Sequence, residues 1–167
     1  MIDCTEADGT DPLGLQEFIE GEALKYQEES LGVTYLLLHG QDSIAFMTVS
    51  MACFEVEELG NLEQVDGVRV PHPALLLGRL AVDKEFRSKG IGTSLCKYAV
   101  GLATVMSDLV GCRYVALHTT QAKASFYTQD PLNFVVCSQQ KGKLLLCRKI
   151  EPVSPAPPTS PEGSSPT

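Results

Sequence analysis

Leu80-Ala81-Val82-Asp83, followed after Lys84-Glu85-Phe86 by Arg87-Ser88-Lys89-Gly90-Ile91-Gly92-Thr93, decides how this chain is read. An apolar run ends at an acid, a short basic turn with two glycines follows, and a long amphipathic pattern begins. Ile91, Leu95, Ala99, Leu102, Met106 and Leu109 step by four and three, which places them on one buried face of a helix from Gly90 to about Leu109. Gly111 marks its end. Backbone N–H groups at such a helix start have no intrahelical partner and sit at the positive end of the dipole. Glycine lets a phosphate approach the backbone, and Arg87 and Lys89 add charge, so the arrangement suits a pyrophosphate. The spacing is neither that of a P-loop nor that of a dinucleotide fingerprint. Gly-x-Gly by itself is a weak signal, since a structural turn has the same pattern.

Working outward, Ala74–Val82 is strongly apolar and reads as a central strand, with strands at Val33–His39 and Ser43–Phe54 joined by the turn Gly40-Gln41-Asp42. Pro12 to about Glu29 reads as a helix with Leu15, Phe18, Ile19 and Tyr26 on one side and acids on the other, and Gly32 stops it. Residues 55–72 read as a short acidic helix and a loop. Downstream come a strand at Tyr114–Thr119, a short helix at Gln121–Gln129, and a strand pair, Phe134–Cys137 and Leu144–Ile150, around Lys141-Gly142-Lys143. This order predicts an α/β (α+β) layer fold around one sheet.

The chain has 167 residues, enough for one domain, which the pattern places at 1–150. Residues 151–167 hold proline, serine, threonine and glycine with no apolar period, and are expected to form a disordered tail. The apolar runs fall far short of the ~20 residues of a membrane span, and the acidic N-terminus lacks the features of a secretory signal. A cytoplasmic location is the expectation. Six scattered cysteines without a Cys-x-x-Cys pair read as free, mostly buried thiols, and no metal site is expected. The net charge of −8 divides unevenly: residues 1–66 carry 15 acids and one base, whereas residues 67–150 carry 12 bases and four acids.

Arg-x-x-Gly-x-Gly after a Leu-Ala-Val-Asp strand end resembles the acetyl-CoA motif of the GNAT superfamily of N-acetyltransferases. The resemblance continues through the strand Tyr114-Val115-Ala116-Leu117-His118 and the helix Ala122-Lys123-Ala124-Ser125-Phe126-Tyr127. Where the family usually has Gly-Phe a few residues on, this chain has Asn133-Phe134. Leu77-Gly78-Arg79-Leu80-Ala81-Val82-Asp83 looks like the branch containing toxins that acetylate aminoacyl-tRNA, although non-toxin relatives share the string. The resemblance implies a single domain with a mixed, mostly antiparallel central sheet, flanking helices and splayed central strands.

It also implies roles. Backbone groups of Leu80, Ala81 and Val82 would pair with the pantetheine arm of acetyl-CoA like an added strand. Backbone N–H groups of Arg87, Ser88, Lys89, Gly90, Ile91 and Gly92, together with Thr93, would hold its pyrophosphate. Tyr127 would protonate the leaving thiolate, a task suited to a phenol that keeps its proton at neutral pH. The amine attacks the thioester directly, with no covalent enzyme intermediate and no metal. His118, at a strand end, is a candidate for taking the amine's proton, but a lone histidine is more often structural, and the sequence identifies no general base.

For the acceptor, the acidic helix Pro12–Glu29 predicts a wall that attracts a cationic small amine or peptide and repels nucleic acid. Aminoacyl-tRNA is the second expectation, kept open by Lys141, Lys143, Arg148 and Lys149. A non-catalytic acyl-CoA-binding or interaction module is the third, and the reading allows a homodimer.

Overall fold

The computed structural model describes residues 2–60, 62, 65–68 and 70–151. All of the proposed 151–167 tail except Glu151 lies outside them. Six strands form one sheet in the order β1-β2-β3-β4-β6-β5: β1 is Val33–His39, β2 Asp42–Phe54, β3 His72–Val82, β4 Tyr114–Thr119, β5 Val135–Gln140 and β6 Lys143–Lys149. Every neighbouring pair is antiparallel except β3 with β4. The expected mixed, mostly antiparallel α+β fold is therefore the one observed.

Three helices cover the sheet. The first, α1, spans 15–28 as α-helical Leu15–Glu17, a π-helical turn Phe18–Glu22 and α-helical Ala23–Glu28. It starts after Gly14, in the left-handed region at φ 63°, rather than at Pro12. The long helix α2 is Ile91–Leu109 with Gly90 as its N-cap, and α3 is Gln121–Thr128. The acidic stretch after β2 forms only a 3-10 turn, Val56–Leu59.

Helix α2 lies on the sheet through Leu95, Cys96, Ala99 and Ala103, so small side chains bring it close. The predicted stripe holds at Leu95 and Ala99 and fails at Leu109, which is 71% exposed. An α-helix turns 3.6 residues at a time, so a four-and-three stripe drifts off the contact line by its last turn. The cysteines are free, and Cys4, Cys96, Cys112 and Cys147 are buried.

The feature that shapes the site lies between β3 and β4. Their parallel register runs only from Ala74 opposite Tyr114 to Leu76 opposite Ala116. Beyond it β4 stays with β6, out to Thr119 opposite Leu144, while β3 stays with β2. The register of β3 on β2 shifts between Thr48 opposite Arg79 and Val49 opposite Leu77, leaving Gly78 as the extra residue of a bulge. A bulge bends its strand, so β3 swings away from β4 and the sheet opens there. The bulge also switches which side chains face which way. Leu75, Leu77, Leu80 and Val82 pack with the α2 and α3 cluster, whereas Ala74, Leu76, Arg79 and Ala81 face the opposite side with Phe54 and Phe18.

Gly60 closes the 3-10 turn at φ 58°, with its backbone against β5, where an added Cβ would collide with the carbonyl oxygen of Cys137. Left-handed strain and overpacking then act together, so Gly60→Ala is expected to destabilise the fold by about 3 kcal/mol. A urea-unfolding series with an unchanged slope checks this.

Candidate active site

Two cavities meet at the opened strands. The first, about 500 Å³, lies between Leu80, Ala81 and Val82 on one wall and the loop before α2 on the other. The second, about 390 Å³, occupies the gap between β3 and β4, where Arg79, Leu117, His118 and Lys143 line it. Leu15, Leu80, Lys123 and Tyr127 border both.

The loop cavity is built mainly of backbone. Ser88 (φ 61°) and Gly90 (φ 80°) are both left-handed, which curls the chain into a concavity before α2. The first helical bond is Ser94 N–H to Gly90 O at 3.0 Å, so the N–H groups of Ile91, Gly92 and Thr93 lie ahead of the intrahelical ladder. A Cβ built on Gly90 meets nothing within 4 Å, so the space over the loop is open. At Gly92 a Cβ would come 3.2 Å from Phe126 Cζ, which seats that ring against the helix start. An open cradle of N–H groups at the start of a long helix fits a pyrophosphate. The edge of β3 past Leu76, unpaired with β4, fits an extended arm adding to the sheet.

The two cations expected to reinforce the loop are used differently. The Arg87 guanidinium donates to Val82 O (3.2 Å), Cys4 O (3.0 Å) and Thr5 O (2.8 Å), and lies 3.6 Å from Glu6. It ties the N-terminal segment across the end of β3. Lys89 Nζ donates to Glu85 O at 3.0 Å and sits over the Phe86 ring. An anion at the loop would thus meet chiefly backbone N–H groups, with Arg87 as a nearby fixed charge. The same segment is held by Asp3, whose N–H donates to Asp83 (2.8 Å) and whose carboxylate pairs with Lys84. That hydrogen bond from Lys84 brings the Asp3 carboxyl down to about 2.

Tyr127 projects from α3 toward both cavities. Its ring is edge-on to Phe126 (4.8 Å) and Phe134 (6.1 Å). Burial, aided by Cys96, pushes its phenol well above the ordinary range, so the proton is held throughout neutral pH. The backbone behind it closes through Phe134 N–H to Tyr127 O at 3.0 Å. That turn passes through Asn133 at φ 52°. Asparagine tolerates the left-handed region better than other side chains do, so it fills the place where the family usually has glycine.

The acids of the first helix, expected to wall the acceptor site, do not line the gap cavity. Among the described residues its charged lining is Arg79, Lys123 and Lys143, without a carboxylate. Glu17, Glu20, Glu22, Glu28 and Glu29 are all exposed, because α1 packs on the sheet through Phe18, Ala23 and its other apolar side chains. Amphipathicity sends the acids outward, and only Leu13 and Leu15 of that region reach the cavity. The Arg79 guanidinium lies 3.8 Å over the Phe18 ring, and Lys123 pairs with Glu6 at 2.8 Å.

Sequence reading did not assign Lys123 or the N-terminal segment to the site. Lys123 had a signal, since it lies four residues before Tyr127 on the same helix face. Residues 2–6 had none.

Residues 34–129 match the acetyltransferase (GNAT) domain family. A tRNA-acetylating toxin of Mycobacterium tuberculosis is 30% identical over 84 residues, 45% of this chain and 51% of that protein, so the match spans about half of its length. Among solved structures, AtaT complexed with acetyl-methionyl-tRNAfMet superposes with a TM-score of 0.72 at 21% identity, over 86% of this chain and 84% of that one. A tyrosine-to-phenylalanine mutant of AtaT, bound to the C-terminus of the antitoxin AtaR and acetyl-CoA, gives 0.68 at 19% identity, over 89% and 83%.

Proposed function

Because this chain belongs to the GNAT acetyltransferase family, we propose that it transfers an acetyl group from acetyl-CoA to the α-amine of an aminoacyl-tRNA. The observation that carries the choice of acceptor is the lining of the gap cavity, which among the described residues holds Arg79, Lys123 and Lys143 and no acid. A wall of one sign concentrates ligands of the other, and a nucleic acid acceptor end brings phosphates. The tRNA-bearing relative supports the same acceptor class.

Acetyl-CoA supplies an activated thioester carbonyl. The N–H groups at the start of α2 bind its pyrophosphate, and the free edge of β3 orients its arm toward the gap. Tyr127, at the border of both cavities, holds a proton on its phenol oxygen and gives it to the departing sulfur. Leu15 and Leu80 flank the same junction and limit the water that reaches it.

The test is a competition between acceptors with labelled acetyl-CoA. A mixed aminoacyl-tRNA pool should be acetylated, whereas polyamines and lysine-rich peptides should react slowly. Faster acetylation of a polyamine than of any aminoacyl-tRNA would sink the reading. Lys143→Glu should lower kcat/KM for aminoacyl-tRNA about tenfold and make the salt slope shallower by about one, as expected when one phosphate contact is lost.

A further inference from the structure

We propose that His118 is the general base that accepts the proton of the acceptor amine during attack. The inference rests on the acetyl-transfer reading and identifies the group that the family resemblance left unassigned.

The geometry comes from strand alternation. On β4, Val115 and Leu117 pack into the cluster beneath α2 and α3, while Tyr114 and Ala116 face the opposite side. His118 continues the second set, with its ring 6.3 Å from Phe54. It is exposed, unlike the four residues before it on the strand, Tyr114 through Leu117, which are all buried. Tyr127 belongs to the first cluster. The two proton-handling side chains therefore reach the gap cavity from opposite faces of the sheet.

Direct transfer needs one group to take a proton from nitrogen and one to give a proton to sulfur. The amine lone pair forms the new C–N bond while the carbonyl π electrons move onto oxygen, and an N–H proton passes to the His118 imidazole. When the carbonyl re-forms, the C–S bond breaks and the sulfur takes the Tyr127 proton. The imidazolium then loses its proton to solvent and the phenolate regains one, which restores both groups.

The surroundings keep His118 ready. Partial desolvation of the ring first, and then the Lys143 ammonium, lower its proton affinity, with Glu58 opposing them. Glu58 is held back by the Glu55 N–H at 2.9 Å. Arg79 on β3 and Lys123 and Tyr127 on α3 complete the charged and titratable groups around the cavity. The imidazole is therefore neutral at pH 7 and has a lone pair available.

The experiment measures kcat against pH at saturating aminoacyl-tRNA, for wild type, His118→Gln and His118→Ala. Wild-type kcat should rise through two limbs, a lower one below about 6.5 from His118 and an upper one near 8 from the amine itself. His118→Gln should be slower by about 30-fold at pH 7, with kcat rising about tenfold per pH unit toward the amine's own value near 8. Imidazole in the buffer should restore His118→Ala, and acetyl-CoA affinity should be unchanged in both variants. On wild type alone, the His118 imidazole titration followed by NMR without cosubstrate should share the midpoint of the lower limb of the rate profile. His118→Gln within about threefold of wild type at every pH, a pH-independent loss without imidazole rescue, or disagreement of the NMR and lower-limb midpoints by more than about one unit would overturn the assignment. Failure of wild type to acetylate any aminoacyl-tRNA would instead remove the functional reading beneath it.

Discussion

Tyr127→Phe is expected to lower kcat by roughly 10²-fold or more while leaving acetyl-CoA binding and stability in place. The substitution removes one oxygen and keeps the ring, so the edge-on contacts with Phe126 and Phe134 remain. What it removes is the proton proposed for the leaving sulfur. The measurement pairs steady-state kinetics with calorimetric titration of acetyl-CoA. The pH profile adds a second readout, because a group with a raised value stays protonated until the pH climbs through that value. Burial raises the Tyr127 phenol, so the wild-type rate should show no descending limb from this residue below about pH 10. A variant as fast as wild type would leave Tyr127 as a packing aromatic and favour a binding module without turnover.

Gly90→Glu is expected to weaken acetyl-CoA binding more than about 100-fold. Gly90 holds a left-handed conformation at φ 80°, and its missing side chain would point into open space over the loop. A glutamate there places a carboxylate where the pyrophosphate is proposed to lie and strains the backbone as well. Gly90→Asn separates the two effects, since asparagine tolerates this conformation and adds no charge. Its affinity should stay within about threefold of wild type. Equal losses in both variants would trace the effect to the loop's backbone, and binding by Gly90→Glu at wild-type strength would place the pyrophosphate elsewhere.

The elements that sequence reading found best are those whose signal is local. β4 was predicted with its observed ends, and α2 within one residue at its start, because β-branched alternation, four-and-three spacing and flanking glycines act over a few residues. Where signals were weaker the ends moved. β5 runs through Ser138, Gln139 and Gln140, polar residues that read as turn but are tolerated on an edge strand. Its hairpin closes through Lys141 and Gly142, both at positive φ, which the Lys-Gly pair had marked. At the Asn133-Phe134 departure the asparagine takes the left-handed conformation that it tolerates better than other side chains do.

The acceptor wall was misread because charge counted along the chain says nothing about the direction in which side chains point. The sequence by itself determined the order of elements and the start of α2 at its glycine turn, since each depends on backbone preferences within a few residues. Tertiary structure alone decided that Arg87 would tie down residues 82 and 83 positions away. It alone placed the acids of α1 toward solvent, and a single bulge at Gly78 opened the sheet. Those outcomes depend on contacts between distant segments, and packing rather than local propensity selects among them.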